Sequence, residues 1–459
     1  MGSPSITSPE DATHGAGRKV IVVGGGISGQ TAAYRLHRRG FDVTVLEADP
    51  TVVGGEMSST HKDGYLFNRA STLIPASYDQ LIQLAEDLGL KDRILGTVPA
   101  VTSIPRDGVV HRLRASGPGA AIDGITTDLL SLKAKLSMWK LAADTAKVKS
   151  KIGYDGPAVD VDTESLGEYT KRRLNPEVET YVVGALVRAA YLYEPESLSV
   201  LDFFFAASKF SGIEFLKYEG GMDFINQGLA KVLNRVPGAR VINVEQRDGG
   251  VTVTYEKDGR EQSAEADACV IAIQAPRVPA LYPQLTERQK DILSNRIRYG
   301  SIIKASHALK SKSDDPTIML SIPRVESEAL GIITFDHNYR TACAPEGRGL
   351  IASHWMHDWN QSRLDPETVS DEKLEAEMIP EVARFIPNFR KELEFSFITR
   401  WPMAAPVSYS GMYKFVEEFR DSVAPTSRVQ FCGDYFNVPG TKAASLSGER
   451  AANAVTGIF

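Results

Sequence analysis

Cysteine is scarce in this chain. Cys269, Cys343 and Cys432 are all it has in 459 residues, far apart and odd in number, which excludes a disulfide framework and suits a reducing cytoplasm. None of them has metal-ligand spacing, so no metal is expected. Positive charge is in deficit as well: 52 lysines and arginines face 58 acidic residues, for a net charge of −6. Without a basic footprint the chain is not expected to bind nucleic acid. No apolar run approaches the ~20 residues that cross a bilayer. The richest stretch, "LSVLDFFFAAS" from Leu198, is interrupted by Asp202 and reads as a buried helix. The opening "MGSPSITSPEDATHGAG" lacks the charged start and apolar centre of a signal peptide, so residues 1–17 read as a disordered arm. Internal repeats are missing too. What remains is the composition of a soluble globular protein, longer than one ordinary domain, whose 42% hydrophobic residues suffice for two interleaved domains.

Glycine, in contrast, is placed with purpose. In "RKVIVVGGGISGQTAAYRLHRRGFDVTVLEADP", Arg18 to Pro50, an apolar strand from Lys19 to Val23 runs into Gly24-x-Gly26-x-x-Gly29 and then a helix that ends at Gly40. The first glycine permits a tight turn, the second lets a pyrophosphate approach the backbone, and the third lets the helix pack on the strand. Ile27 and Ser28 open that helix. Glu47, followed by Ala48, closes the next strand where a carboxylate receives ribose hydroxyls. An ordinary strand-to-helix turn with a solvated Glu47 is the alternative, but the strand, the helix and the acid together point to a dinucleotide.

The remaining text divides the chain into pieces. A helix-rich region spans about Thr127 to Phe210, and "ARVINVEQRDGGVTVTYEKDG" is a hairpin turning at Asp248-Gly249-Gly250. "ADACVIAIQAP" and "RVQFCGDYF" are continuous apolar strands of the buried, parallel kind, the second feeding a small-residue helix. The expected fold class is α/β plus α+β. A Rossmann-like cofactor domain is assembled from 18–99, 221–280 and 415–459, and a mixed-sheet and helical substrate domain with a helical lid from 100–220 and 281–414.

The glycine spacing alone does not separate FAD from NAD. "LEADPTVVGGEMSSTHKDGYLFN", "YEGGMDFINQGLAKVL", "VIAIQAP", "RWPMAAPVSYSGMY" and "FCGDYF...SGERAANAV" together resemble, in order, the flavin-dependent superfamily of monoamine oxidases, protoporphyrinogen oxidases and carotenoid desaturases. The resemblance implies FAD and a cofactor domain of the family's GR2 type. It also implies cofactor contacts from Gly54, Gly55 and Glu56, from Arg69 and Ala70, from the backbone of Val241, from Trp401, and from Gly433, Asp434, Ala443 and Ala444. Asp434 is expected on the pyrophosphate or ribityl portion. A strand stopping at Gly433-Asp434 before a helix of small residues also suits an anionic ligand on physical grounds.

The resemblance further implies two catalytic residues. Lys304, in "RYGSIIKASHAL", matches the lysine that holds a water beside flavin N5, and Tyr413, in "YSGMY", matches one wall of an aromatic sandwich. Lys304 as a lysine snorkelling from a strand end and Tyr413 as a plain core tyrosine are the alternatives. Met412 stands where some members carry the flavin-linking cysteine, so the FAD is expected to be noncovalent. Departures matter as well: Gly54-Gly55-Glu56 replaces the usual Gly-Gly-Arg, and "FNRAS" replaces a glycine pair. The implied function is hydride transfer from a small hydrophobic substrate to FAD, with oxygen or a quinone as final acceptor. The expected enzyme is an amine oxidase-like oxidase or dehydrogenase; desaturation of an isoprenoid-like or cyclic carbon skeleton and redox-neutral isomerisation are the alternatives.

One segment is a candidate for peripheral membrane contact. "LKAKLSMWKLAADTAKVKSK" sets Leu132, Leu136, Trp139 and Ala143 on one helical face and Lys133, Lys140 and Lys147 on another. A lid helix with a solvated basic face is the alternative.

Overall fold

The computed structural model describes residues 15–154, 156, 158–209 and 212–459. Of the expected N-terminal arm, residues 1–14 lie outside these. Residues 15–17 depart from the expectation: they form a turn, and the Gly15 N–H donates to the Arg39 carbonyl at 2.9 Å.

Four short, largely apolar strands and a polar edge strand, Asn234–Pro237, form a parallel sheet in the order Val429–Phe431, Ala268–Ile271, Lys19–Val23, Asp42–Glu47, Asn234–Pro237. All four pairings are parallel, which requires crossovers and buries both faces. One covering layer is built from the helices Ile27–Arg38 and Thr441–Thr456. Their closeness explains the small residues of the C-terminal helix: a Cβ on Gly448 would lie 2.2 Å from the Ser28 carbonyl oxygen. The hydroxyls of Thr31 and Ser445 meet across the seam at 3.1 Å.

The hairpin text becomes the strands Arg240–Arg247 and Gly250–Lys257, extended by Arg260–Ala266 into a separate antiparallel sheet. A seven-stranded mixed sheet makes the second large layer. Its order is Leu393–Pro406, Tyr299–Leu309, Gly349–Trp355, Leu330–Thr334, Met319–Ser321, Val101–Arg106, Val109–Arg114. Helices from residues 132–209, including the buried Val200–Lys209 helix, close its flank.

Candidate active site

A cavity of about 1280 Å³ lies between the two large sheets, above the ~300–1,000 Å³ of an ordinary ligand pocket. The glycine turn forms part of its wall. Gly24 has φ +106°, and a Cβ there would lie 2.5 Å from the Ala272 carbonyl oxygen. Gly29 stands behind the wall and does the packing: its Cβ would lie 2.1 Å from the Gly24 carbonyl oxygen. At Gly26, by contrast, a Cβ would meet no atom within 4 Å, so the missing side chain leaves room for a ligand to approach the backbone. Gly54 bridges Gly26 from the neighbouring segment. Glu47 is held at the wall, its carboxylate accepting the N–H groups of Gly25 at 2.7 Å and Asp49 at 2.8 Å. Open backbone at a helix start, with a carboxylate at the end of the next strand, fits a dinucleotide.

Two further carboxylates face this space. Burial raises the pKa of Glu56 well above the carboxylate range, and the nearby Asp434 charge adds to it. Asp434 is pushed up to about 6 by burial, against the hydrogen bond that its Oδ1 accepts from the Tyr299 hydroxyl at 3.2 Å. Two buried acids at close quarters cannot both ionise cheaply. Cations stand on the same wall: Arg69, Arg240 and Arg277. The Arg69 guanidinium lies 5.7 Å from the Trp401 ring centre, while its carbonyl accepts from Trp401 Nε1 at 3.1 Å and Thr399 Oγ1 at 2.5 Å.

The mixed sheet roofs the cavity, and its register tells which side chains look in. Thr399 faces Lys304, Lys304 faces His354, and His354 faces Ile332, so the four share one side of the sheet. Ile332 and His354 line the cavity, as do Ile302 and Trp401 one row away and Met319 and Thr334 on the other side. Lys304 is fully buried and donates Nζ to the Asn68 carbonyl at 2.7 Å. Burial draws its pKa down to about 8, with Arg340 assisting and Asp336 opposing. His354, held neutral by burial with a pKa of about 3, has no hydrogen-bond partner for its Nε2.

Of the expected residues, Gly24, Gly26, Ile27, Ser28, Glu47, Ala48, Gly54, Gly55, Glu56, Arg69, Ala70, Val241, Trp401, Gly433, Asp434, Ala443 and Ala444 line this one cavity. Gly29 and Lys304 stand directly behind it. Tyr413 is a correction: it is a core residue and lines no part of the cavity. Gly411, at φ +86°, starts the Met412–Ser422 helix, and the first turn drives Met412 and Tyr413 inward. The Tyr413 hydroxyl donates to Asp202 on the buried Val200–Lys209 helix. His354 and Tyr299 were missed by sequence reasoning. His354 carried the signal that selected Lys304, a polar residue inside an apolar strand, here "LIASHWM".

Fold and site together define an enzyme that holds a dinucleotide beneath a large apolar chamber. The profile of the flavin containing amine oxidoreductases matches residues 27–456, and the chain belongs to that family of FAD-dependent oxidoreductases. Coproporphyrinogen III oxidase of Bacillus subtilis (strain 168) is 21% identical over 89% of this chain and 91% of its own length. Protoporphyrinogen oxidase 2, chloroplastic/mitochondrial, of Arabidopsis thaliana is 31% identical over 192 residues, 40% of this chain and 35% of the relative. Among solved structures, cyclohexylamine oxidase from Brevibacterium oxydans IH-35A superposes with a TM-score of 0.74 at 16% identity, over 96% of this chain and 99% of that one.

Proposed function

We propose that this enzyme dehydrogenates a large, apolar, cyclic substrate at a carbon–carbon bond. One observation carries the reading: the chamber beyond the glycine turn is walled by Leu186, Phe205, Phe215, Ile302, Met319 and Ile332. Among the described residues, four carboxylates line the cavity, Glu47, Asp49, Glu56 and Asp434, and all belong to the nucleotide-side segments, with no anion on the roof to receive an ammonium. Tyr413, on which an amine sandwich would depend, is in the core. The porphyrinogen-oxidising relatives point the same way, toward a bulky ring.

FAD, when bound, supplies the acceptor that takes a hydride from substrate carbon. The chain's own groups hold and orient. Gly26, Ile27 and Ser28 receive the pyrophosphate, Glu47 the ribose, and the Val241 backbone the adenine. Asp434 and Glu56, with their raised pKa values, favour the neutral form and so soften their repulsion of an anionic cofactor. His354 meets the substrate, and the proton that remains on the substrate after hydride loss passes by way of a water to Lys304, the cross-strand partner of His354 behind the wall. None of the three cysteines lines the cavity, which supports noncovalent FAD. Oxygen or a quinone is the proposed final acceptor. The division into a cofactor part (18–99, 221–280, 415–459) and a substrate part (100–220, 281–414) is proposed on the same footing. Every strand of the parallel sheet falls in the first set, and every strand of the mixed sheet in the second.

We also propose that the Leu132–Val148 helix rests on an anionic membrane surface. No described helix is long and apolar enough to cross a membrane. Leu132, Leu136 and Trp139 are nevertheless 73%, 67% and 62% exposed, so the apolar face looks outward. Ile125 joins them, its carbonyl accepting Lys135 Nζ at 2.7 Å. Lys133, Lys140 and Lys147 flank the stripe, the arrangement of an interfacial helix. Ala115, just ahead of the Pro118–Thr126 helix, lines the cavity, which gives a lipophilic substrate a short way in. Anaerobic mixing with a porphyrinogen, a cyclic alkene precursor and cyclohexylamine tests the chemistry: the reading expects flavin bleaching by the carbocyclic or porphyrinogen substrates in preference to the amine. Preferential bleaching by the amine would overturn it.

A further inference from the structure

A second pocket, of about 210 Å³, shares no residue with the large cavity. At ~30 Å³ per water it has room for about seven waters, enough for a small ion with its hydration but not for a dinucleotide. Its wall contains Lys217, Lys312, Arg340, Arg348 and His337, and no carboxylate. Two of these cations are already satisfied. Arg340 is buried against Asp336 at 2.8 Å and donates to the Gly220 and Leu66 carbonyls. Arg348 pairs with Glu394 at 2.6 Å. Lys217 and Lys312 have no carboxylate within ion-pair distance among the described residues, so two positive charges at one small concavity are left uncompensated.

His337 supplies the independent sign. It is only 6% exposed, yet its Nε2 has no hydrogen-bond partner. A buried polar atom left unpaired costs about 1–3 kcal/mol, and such an atom in a pocket wall marks a place where a ligand completes the bonding. Nδ1 is provided for on the other side: it lies 3.0 Å from the Leu350 N–H and 2.8 Å from the Leu350 carbonyl. The neutral ring has two tautomers: Nδ1–H donating to the Leu350 carbonyl leaves Nε2 an acceptor, and Nδ1 accepting from the Leu350 N–H leaves Nε2 a donor, the form that a bound anion selects. Burial lowers the imidazole to about 4, so the ring is neutral near pH 7. The adjoining Ala342 has φ +52°, a left-handed backbone that a residue other than glycine rarely adopts and that clusters at ligand-binding turns.

We propose that this pocket is a binding site for a small multivalent oxyanion, a phosphate or the carboxylates of a compact di-acid, held between Lys217 and Lys312 and the Nε2–H of His337. The site is separate from the flavin cavity and stands whether or not the carbon–carbon reading is right. Isothermal titration of the flavin-loaded enzyme at constant ionic strength tests it, with inorganic phosphate in one arm, succinate in the second and potassium chloride in the third. The expected result is saturable binding of phosphate or succinate, the tighter of the two identifying the group, with no comparable heat from chloride. In Lys217→Gln/Lys312→Gln the affinity should fall at least tenfold while flavin content is retained. If the double variant loses flavin, Lys312→Gln alone, an exposed change, should still weaken binding. Absence of saturable binding in both oxyanion arms, equal heat from chloride, or undiminished affinity in the variants would overturn the site.

Discussion

Gly26 is where a single atom decides most. Its absent side chain faces open cavity, so Gly26→Val should fold yet retain little flavin, read as the ratio of flavin to protein absorbance. Full occupancy would remove the turn from the cofactor's contacts. Lys304 tests the proton assignment. Lys304→Met keeps length and apolar volume and deletes the acceptor, and loss of a positioned acid–base group slows such steps about 10²–10⁴-fold. Bleaching by substrate should therefore slow about a hundredfold or more in a variant that keeps its flavin. In the native enzyme the bleaching rate should rise with pH through about 8, because Lys304 must be neutral to accept and its pKa is drawn down to that value. A wild-type rate in Lys304→Met would leave anchoring of the Asn68 carbonyl as this side chain's whole role.

Elements show where sequence reasoning reached and where it stopped. The strands Lys19–Val23, Ala268–Ile271 and Val429–Phe431 were legible because each sits in a largely apolar run, whereas the edge strand Asn234–Pro237, with its Asn and Arg, carries no such pattern and was not foreseen. Tyr413 was misjudged because its place depends on the left-handed Gly411 turn and on Asp202, more than 200 residues away, which no local pattern reports. That pair has a measurable consequence. Burial raises Asp202 to about 8, so the folded protein keeps a proton that the unfolded chain releases near pH 4. Stability from this group is full below pH 4 and declines as pH rises toward 8, by at most about 1.4 kcal/mol per unit. Asp202→Asn should flatten the decline in denaturation midpoints between pH 5 and 8, and an unchanged slope would show that Asp202 is ionised in the fold. The Leu132–Val148 helix makes a prediction of its own. Vesicles of phosphatidylcholine with phosphatidylglycerol should sediment the enzyme, and Leu136→Ser/Trp139→Ser should release it. Equal sedimentation of that variant would contradict a membrane-facing stripe.

For the whole molecule, the segments that build the cavity lie hundreds of residues apart, and their order along the chain made the fold readable before their contacts were known. The roof was harder to foresee. Which strand faces enter the chamber follows from the register of seven strands, and only that register sets His354 beside Lys304 and Ile332. The central claim is that this register and the glycine turn make one machine, a noncovalent flavin beneath an apolar chamber that removes hydride from carbon. Absorption at the flavin band during anaerobic mixing with a porphyrinogen tests it most directly. The account predicts lasting bleaching with one two-electron oxidation of substrate per flavin, and yellow colour released from the polypeptide on heating. Substrate converted while the band stays oxidised, or colour retained on the denatured chain, would contradict it.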